Sequence, residues 1–380
     1  MATTSSFRVT RIFGIPIYVD PSWLIIFFMI TWTLASQYTY AHPHWTPFEH
    51  WTLGILTSLL FFASVLFHEL SHSLVARLYK IRVASITLFV FGGVARITKD
   101  APTPLQEFNI AIAGPTSSAL LALGFFGLKL LFSANEMANA LATWLAWTNL
   151  LLAGFNLLPG FPLDGGRVFR ALLWAITKDF PKATRIAGAT GKLVAYGMIG
   201  VGAWEVFQRQ WGGLWWVLIG FFLLSAAQQS VAQVAVREAL YGLRAADVMS
   251  HEVPIVPRHI SLEEYGQQVL RTGRRCHLVV SDEALLGMMN VHTLNSVPRE
   301  EWAHISVQGV MIPREKILWA SPDEPLLGLL ERLLNADVNQ MPVVSSSGDG
   351  HAHIIGMITR DSILRVMQAR SELGAVPSSR

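Results

Sequence analysis

Long apolar runs dominate residues 23–235, and charged residues become dense only afterwards. A membrane-crossing helix needs about 20 predominantly apolar residues. The pattern predicts such runs at residues 21–40, 52–78, 105–132, 137–176, 186–207 and 213–234, about six spans in all. The fourth run is too long for one straight crossing and is broken by Pro159, Pro162 and the glycines at 160, 165 and 166. Between the second and third runs, residues 86–97 are β-branched and interrupted by Gly92 and Gly93, a pattern that fits either a membrane-associated β-hairpin or a surface linker between spans. Beyond Leu243 the pattern changes to short strands and polar helices that recur after about 60 residues. The first copy runs from Asp247-Val248-Met249-Ser250 to Leu285-Leu286-Gly287-Met288-Met289, and the second from Val310-Met311-Ile312-Pro313 to Ile354-Ile355-Gly356-Met357-Ile358-Thr359.

Composition sharpens this division. The 380 residues are 52% hydrophobic and 14% charged, with a mean hydropathy of +0.41. A soluble globular chain would carry roughly a quarter charged residues. The expected fold is a polytopic α-helical membrane protein with a carboxyl-terminal α/β part. The expected domains are a membrane domain at 1–240, repeat units at 241–305 and 306–372, and a disordered tail at 373–380. Lys and Arg mark the cytoplasmic side. Arg8 and Arg11 precede the first run, five basic residues between Arg77 and Lys99 follow the second, and five between Arg167 and Arg185 follow the fourth, whereas loops 41–51 and 133–139 have none. Both termini and the soluble part are therefore expected in the cytoplasm, with the chain multi-pass in the cell (inner) membrane. The first run is not a removable signal peptide, because five more runs follow it. The net charge of +3 accompanies no concentrated basic face, which argues against a nucleic-acid partner. A single cysteine, Cys276, permits no internal disulfide and suits a reducing compartment as a buried strand residue.

Within the second run stands His68-Glu69-Leu70-Ser71-His72. Residues four apart share a helix face, so both imidazoles can address one zinc ion while Glu69 reaches a water beside it. The setting strengthens this reading. An ionisable group at the centre of a bilayer costs about 2.5–3.5 kcal/mol or more, and a cluster of three needs a compensating partner such as a divalent metal. Zinc requires a further ligand. The candidate is Asp164, which follows the proline- and glycine-rich break of the fourth run, since irregular backbone at membrane depth is tolerated where it is buried or lines a wet cavity. Taken alone, Asp164-Gly165 could equally be a turn at the membrane surface.

Two motifs together resemble the site-2 protease family of intramembrane zinc metalloproteases. One is the His68-to-His72 pentapeptide. The other is Asn156-x-x-Pro159-x-x-Pro162-x-Asp164-Gly165, which agrees with the family pattern at every defined position. Ala113-Gly114-Pro115 and Phe91-Gly92-Gly93-Val94 are weaker points of similarity, and the resemblance covers residues 1–235. It implies one Zn2+ per chain on His68, His72 and Asp164, Glu69 as general base, and Asn156 as a group that contacts substrate or the oxyanion. An amide capping a broken helix end is the alternative for Asn156. It also implies a transmembrane protein as substrate, paired as an extended strand with the 86–97 hairpin.

The carboxyl-terminal repeat resembles a tandem CBS pair, which implies adenine-nucleotide binding and homodimerisation. The family's ribose-binding Asp should stand three positions after Thr359, but that residue is Ser362, with Asp361 one earlier. The first copy has Asn290 and Thr293 at the equivalent positions. A dimerisation or docking module is therefore the alternative to nucleotide binding. His351 and His353 read as solvated loop histidines, as do His42, His44 and His50 in the first non-basic loop. Two other classes fit the chain less well: a non-enzymatic membrane receptor or chaperone, which would have no need of Glu69, and a metal transporter, which would spread its ligands over several spans.

Overall fold

The computed structural model describes residues 6–281, 284–346 and 352–373. It divides into two compact units, one up to Val234 and one from Ala235.

The first unit opens with β1 (Phe7–Ile12) and β2 (Ile15–Val19), joined by Phe13 and Gly14, both at positive φ (49° and 76°). A two-residue turn of that kind matches the twist of antiparallel strands. Two long helices follow, α1 (Ser22–Ala41) and α2 (Pro47–Leu78). Thr46 caps α2 through a reciprocal pairing with Glu49, and Pro47 sits where its missing N–H is harmless. Then come β3 (Val83–Phe89) and β4 (Gly92–Ile97). The four strands form one sheet in sequence order, with β2 and β3 parallel (Ile17 opposite Ile86) and the other pairs antiparallel. Ile15, Ile17 and Ile86 bury themselves with Leu70 and Ala76 of α2, so the sheet is seated on the helix that carries the histidines.

Next come α3 (Pro104–Leu131), α4 (Glu136–Asn156), α5 (Asp164–Thr177), α6 (Phe180–Phe207) and α7 (Gly213–Leu240). Among the described residues, five helices, α1, α2, α3, α6 and α7, are long and apolar enough to cross a membrane. The broken fourth run resolves into α4 and the short α5. The 21-residue α4 does not reach the hydropathy of the other five, because Glu136, Asn139, Thr143, Thr148, Asn149 and Asn156 punctuate it. The segment between α4 and α5 lies against α6 at Gly191, where a Cβ would come within 2.1 Å of Phe161 O.

In the second unit the elements are α8 (Ala245–Val248), β5 (Ile255–Pro257), α9 (Leu262–Thr272), β6 (Cys276–Ser281), β7 (Ala284–Asn290), α10 (Val291–Leu294), α11 (Val307–Val310), β8 (Ile312–Pro313), α12 (Leu326–Asn335), β9 (Gln340–Ser346), β10 (Ala352–Thr359) and α13 (Arg360–Glu372). Two halves share one plan. In the first, β5 pairs parallel with β6 and β6 antiparallel with β7. In the second, Ala320 bridges Val343 in parallel and β9 pairs antiparallel with β10. Each half has its own core, around Leu262, Tyr265 and Met289 in one and Leu326, Leu329 and Ile358 in the other. Cys276 is buried on β6, and burial pushes its thiol up to about 12.

Candidate metal centre

His68 and His72 project from the same face of α2, one turn apart, and both are buried. Asp164 is the first residue of α5, delivered by the irregular segment that ends α4. His68 Nε2 and His72 Nε2 are 3.2 Å apart, and Asp164 Oδ2 lies 3.0 Å from the first and 3.1 Å from the second. A tetrahedral zinc with bonds of about 2.0–2.1 Å sets its ligand atoms about 3.3 Å apart, so the triangle has the dimensions of such a site.

The chemistry of the donors fits as well as the spacing. His72 Nδ1 donates to the Ile110 carbonyl at 2.6 Å, so a neutral His72 turns the lone pair of Nε2 towards an anionic oxygen and a second ring nitrogen. A cation between them resolves that clash of lone pairs. His68 Nδ1 lies 2.9 Å from Ser118 Oγ, which fixes the plane of its ring. Both orienting groups come from α3. Gly114 of the same helix leaves the room the imidazoles need, since a Cβ there would stand 2.1 Å from His72 Nε2 and 2.6 Å from His68 Nε2.

Glu69, half-buried, turns to the sheet, and its Oε2 accepts the Ala95 N–H of β4 at 3.2 Å. Asn156 ends α4 and donates through Nδ2 to the Leu152 carbonyl at 3.0 Å, leaving one amide hydrogen and the carbonyl oxygen for other partners. The structure thus brings together His68, His72 and Asp164, sets Glu69 beside them on α2, and puts Asn156 at the entrance to the segment that leads to Asp164.

Sequence reading passed over several residues that organise this region. Ser118 and the Ile110 carbonyl hold the imidazoles. Glu107 of α3 forms a buried ion pair with Arg170 of α5, and the guanidinium is bracketed by the Phe161 and Phe180 rings at 4.9 and 4.5 Å. Charges of opposite sign within two apolar segments were the available signal for that pair. In the second unit, Asn290 Oδ1 accepts from Thr293 N and Oγ1, and Thr359 and Ser362 cap α13 reciprocally, so these side chains are engaged in starting helices. His353 is exposed on β10, and His351 lies outside the described residues, as do residues 374–380 of the expected tail. Of the first-loop histidines, His44 is exposed as expected, but His50 is buried, and His42 and His44 gather at Glu136.

A carboxylate and two imidazoles converge in a bundle that includes membrane-length helices, with a second carboxylate adjacent, an arrangement of the class that could hold a catalytic divalent metal. The sequence pattern of Peptidase family M50 matches residues 56–142 and 129–198, and that of the CBS domain matches residues 307–369. "Putative zinc metalloprotease sll0528" of Synechocystis sp. is 34% identical over 96% of this chain and 96% of its own length. "Putative zinc metalloprotease Rip3" of Mycobacterium tuberculosis is 33% identical over 94% of this chain and 91% of its own. Among solved structures, a site-2 protease from Methanocaldococcus jannaschii is 30% identical, covering 60% of this chain and 95% of that one at a TM-score of 0.44. The chain belongs to Peptidase family M50, as a zinc metalloprotease of the site-2 type with a carboxyl-terminal CBS domain.

Proposed function

We propose that the chain hydrolyses a peptide bond within transmembrane segments of membrane-tethered proteins, with zinc held by His68 Nε2, His72 Nε2 and Asp164 Oδ2. The zinc, when bound, supplies a Lewis acid able to acidify water and polarise a carbonyl. Glu69 takes the water proton on its carboxylate and returns it to the leaving amine. The free amide hydrogen of Asn156 is available to the developing oxyanion. The observation that carries this reading is the convergence of His68 Nε2, His72 Nε2 and Asp164 Oδ2 within 3.2 Å of one another, next to the Glu69 carboxylate, in a bundle that includes helices apolar enough for a bilayer.

The form of the substrate follows from its backbone. A helical segment hides its carbonyls in hydrogen bonds and must be extended before attack. The end strand β4 supports such pairing, because it has a sheet partner on one side only and Glu69 reaches its Ala95 amide. Residues 1–240 form the protease, with both termini and the carboxyl-terminal unit in the cytoplasm of a cell whose inner membrane holds the rest. The units at 241–305 and 306–372 act as a CBS pair that dimerises or docks and so regulates cleavage. The capping duties of Asn290, Thr293 and Ser362 favour this over an adenine-nucleotide site, whose ribose Asp has no counterpart at those positions.

The test is Glu69→Gln in full-length protein with a single-span substrate in detergent, with and without chelator. Cleavage is expected to fall by at least about 100-fold, with zinc content unchanged. Cleavage that survives both the substitution and the chelator overturns the reading.

A further inference from the structure

Among the described residues, the proposed peptidase leaves one ligand cluster unused. His42 and His44 stand in the turn between α1 and α2, and Glu136 is the first residue of α4. One ligand atom from each lies within 4.8 Å of the others. His44 Nε2 is 2.7 Å from Glu136 Oε2, and His42 Nδ1 is 3.8 Å from the same oxygen.

The surroundings orient these groups. The His42 ring stacks on Trp45 with centroids 4.0 Å apart and planes 4° from parallel. Trp45 Nε1 donates to Glu136 Oε2 at 3.3 Å. The buried His50 holds the backbone of the turn through Nε2 to His42 O at 3.1 Å. Beneath the cluster, Tyr38, Trp45 and Leu53 pack with Met137, Leu141 and Trp144, so the two segments meet whether or not an ion is present. A carboxylate aimed by an indole N–H and an imidazole held flat by stacking are the outer supports that metal ligands characteristically have.

We propose that His42, His44 and Glu136 form a second divalent-metal site, for an imidazole-preferring ion of the zinc class. Calcium and magnesium seek oxygen cages, whereas two imidazoles and a carboxylate suit zinc and its neighbours. His44 and Glu136 are mostly exposed, with side chains 63% and 59% accessible, so the fourth position belongs to water and the ion exchanges with the bulk. The position is as informative as the ligands. At 1.5 Å per residue, α2 runs roughly 30 Å from Pro47 to His68, and α4 runs roughly 30 Å from Glu136 to Asn156. An ion here ties together the starts of the two helices whose far ends carry the histidines and the segment leading to Asp164. It acts as a staple on the opposite end of the bundle from the peptidase centre.

The test counts ions. Full-length protein is stripped with chelator, dialysed and titrated with Zn2+ in detergent, with bound metal measured by atomic absorption. The wild type is expected to take up two equivalents and the variant His42→Ala/His44→Ala one. Trp45→Phe should weaken the second equivalent by about 10- to 100-fold. Glu136→Gln, which keeps the shape of the helix start, should also lose that equivalent, and it decides the matter if the histidine variant fails to fold. The second equivalent should raise the melting temperature of the wild type but not of Glu136→Gln, and Mg2+ should not replace it. Equal uptake by wild type and Glu136→Gln would mean that the cluster is only a His–Glu ion pair and would overturn the proposal. Loss of an equivalent in His68→Ala/Asp164→Ala reports separately on the peptidase centre.

Discussion

Gly114 shows how much of the centre depends on the absence of an atom. The position holds no ligand, yet a methyl group there would occupy the space of both imidazole Nε2 atoms. Gly114→Ala should lower zinc affinity by more than tenfold and abolish cleavage with the helical content unchanged, measured by metal titration and circular dichroism. Spacing alone made His68 and His72 legible as a pair, but nothing in the spacing brings Asp164 to them; that expectation came from the broken backbone beside a carboxylate and was strengthened by the paired motifs. His277 poses a different residue-scale problem. It is buried on β6 with Nδ1 3.3 Å from the Tyr265 hydroxyl, which itself donates to Met289 O, while Nε2 has no hydrogen-bond partner. Burial, with the Arg274 charge nearby, holds its pKa below the ordinary imidazole value. Below about pH 6.5 the unfolded chain therefore binds a proton that the folded chain refuses. The stability present above pH 6.5 is lost as the pH falls towards the folded value. Amide exchange of β6 and β7 in the full-length protein, corrected for intrinsic rates, should quicken between pH 7.5 and 5.5, and His277→Gln should flatten that dependence.

At the scale of elements, α3 is the organiser. It orients both imidazoles through Ile110 and Ser118, and it holds α5, the helix of Asp164, through the Glu107–Arg170 pair. Removing one partner of a buried pair strands the other charge, typically at about 3–5 kcal/mol. Arg170→Met should destabilise the membrane unit by that order and loosen zinc binding, whereas Glu107→Leu combined with Arg170→Met should recover most of the stability; thermal unfolding in detergent checks both. The long helices were legible because an apolar run of membrane length has few other uses. The sheet was only half legible. Residues 86–97 read as a hairpin from their β-branched, glycine-interrupted composition together with the family resemblance, but β1 and β2 are short, and the parallel partner of β2 arrives about 70 residues later. Local pattern cannot announce a pairing of that kind. The Glu136 cluster escaped for the same reason, since Glu136 lies 92 residues beyond His44.

For the whole molecule, the change in pattern near residue 240 separated a helical unit from a strand-rich one, because hydropathy and period change together there. The repeated plan of the second unit was also legible, since strand and helix cues recur in register. The chain leaves the sheet after β2 and rejoins it at β3, with α1 and α2 as the whole excursion. Strands that share hydrogen bonds cannot lie on opposite sides of a lipid barrier. The number of crossings between Val19 and Val83 must therefore be even, whatever the absolute orientation of the protein. Single cysteines introduced at Thr10 and Thr98 into a Cys276→Ser background should be labelled from the same side of sealed vesicles by an impermeant maleimide, and labelling from opposite sides would contradict the sheet. That parity also constrains assembly. The β1–β2 hairpin must wait near its own side of the bilayer, without its β3 neighbour, until two helices have been threaded out and back, so strands made before that excursion are secured only after it.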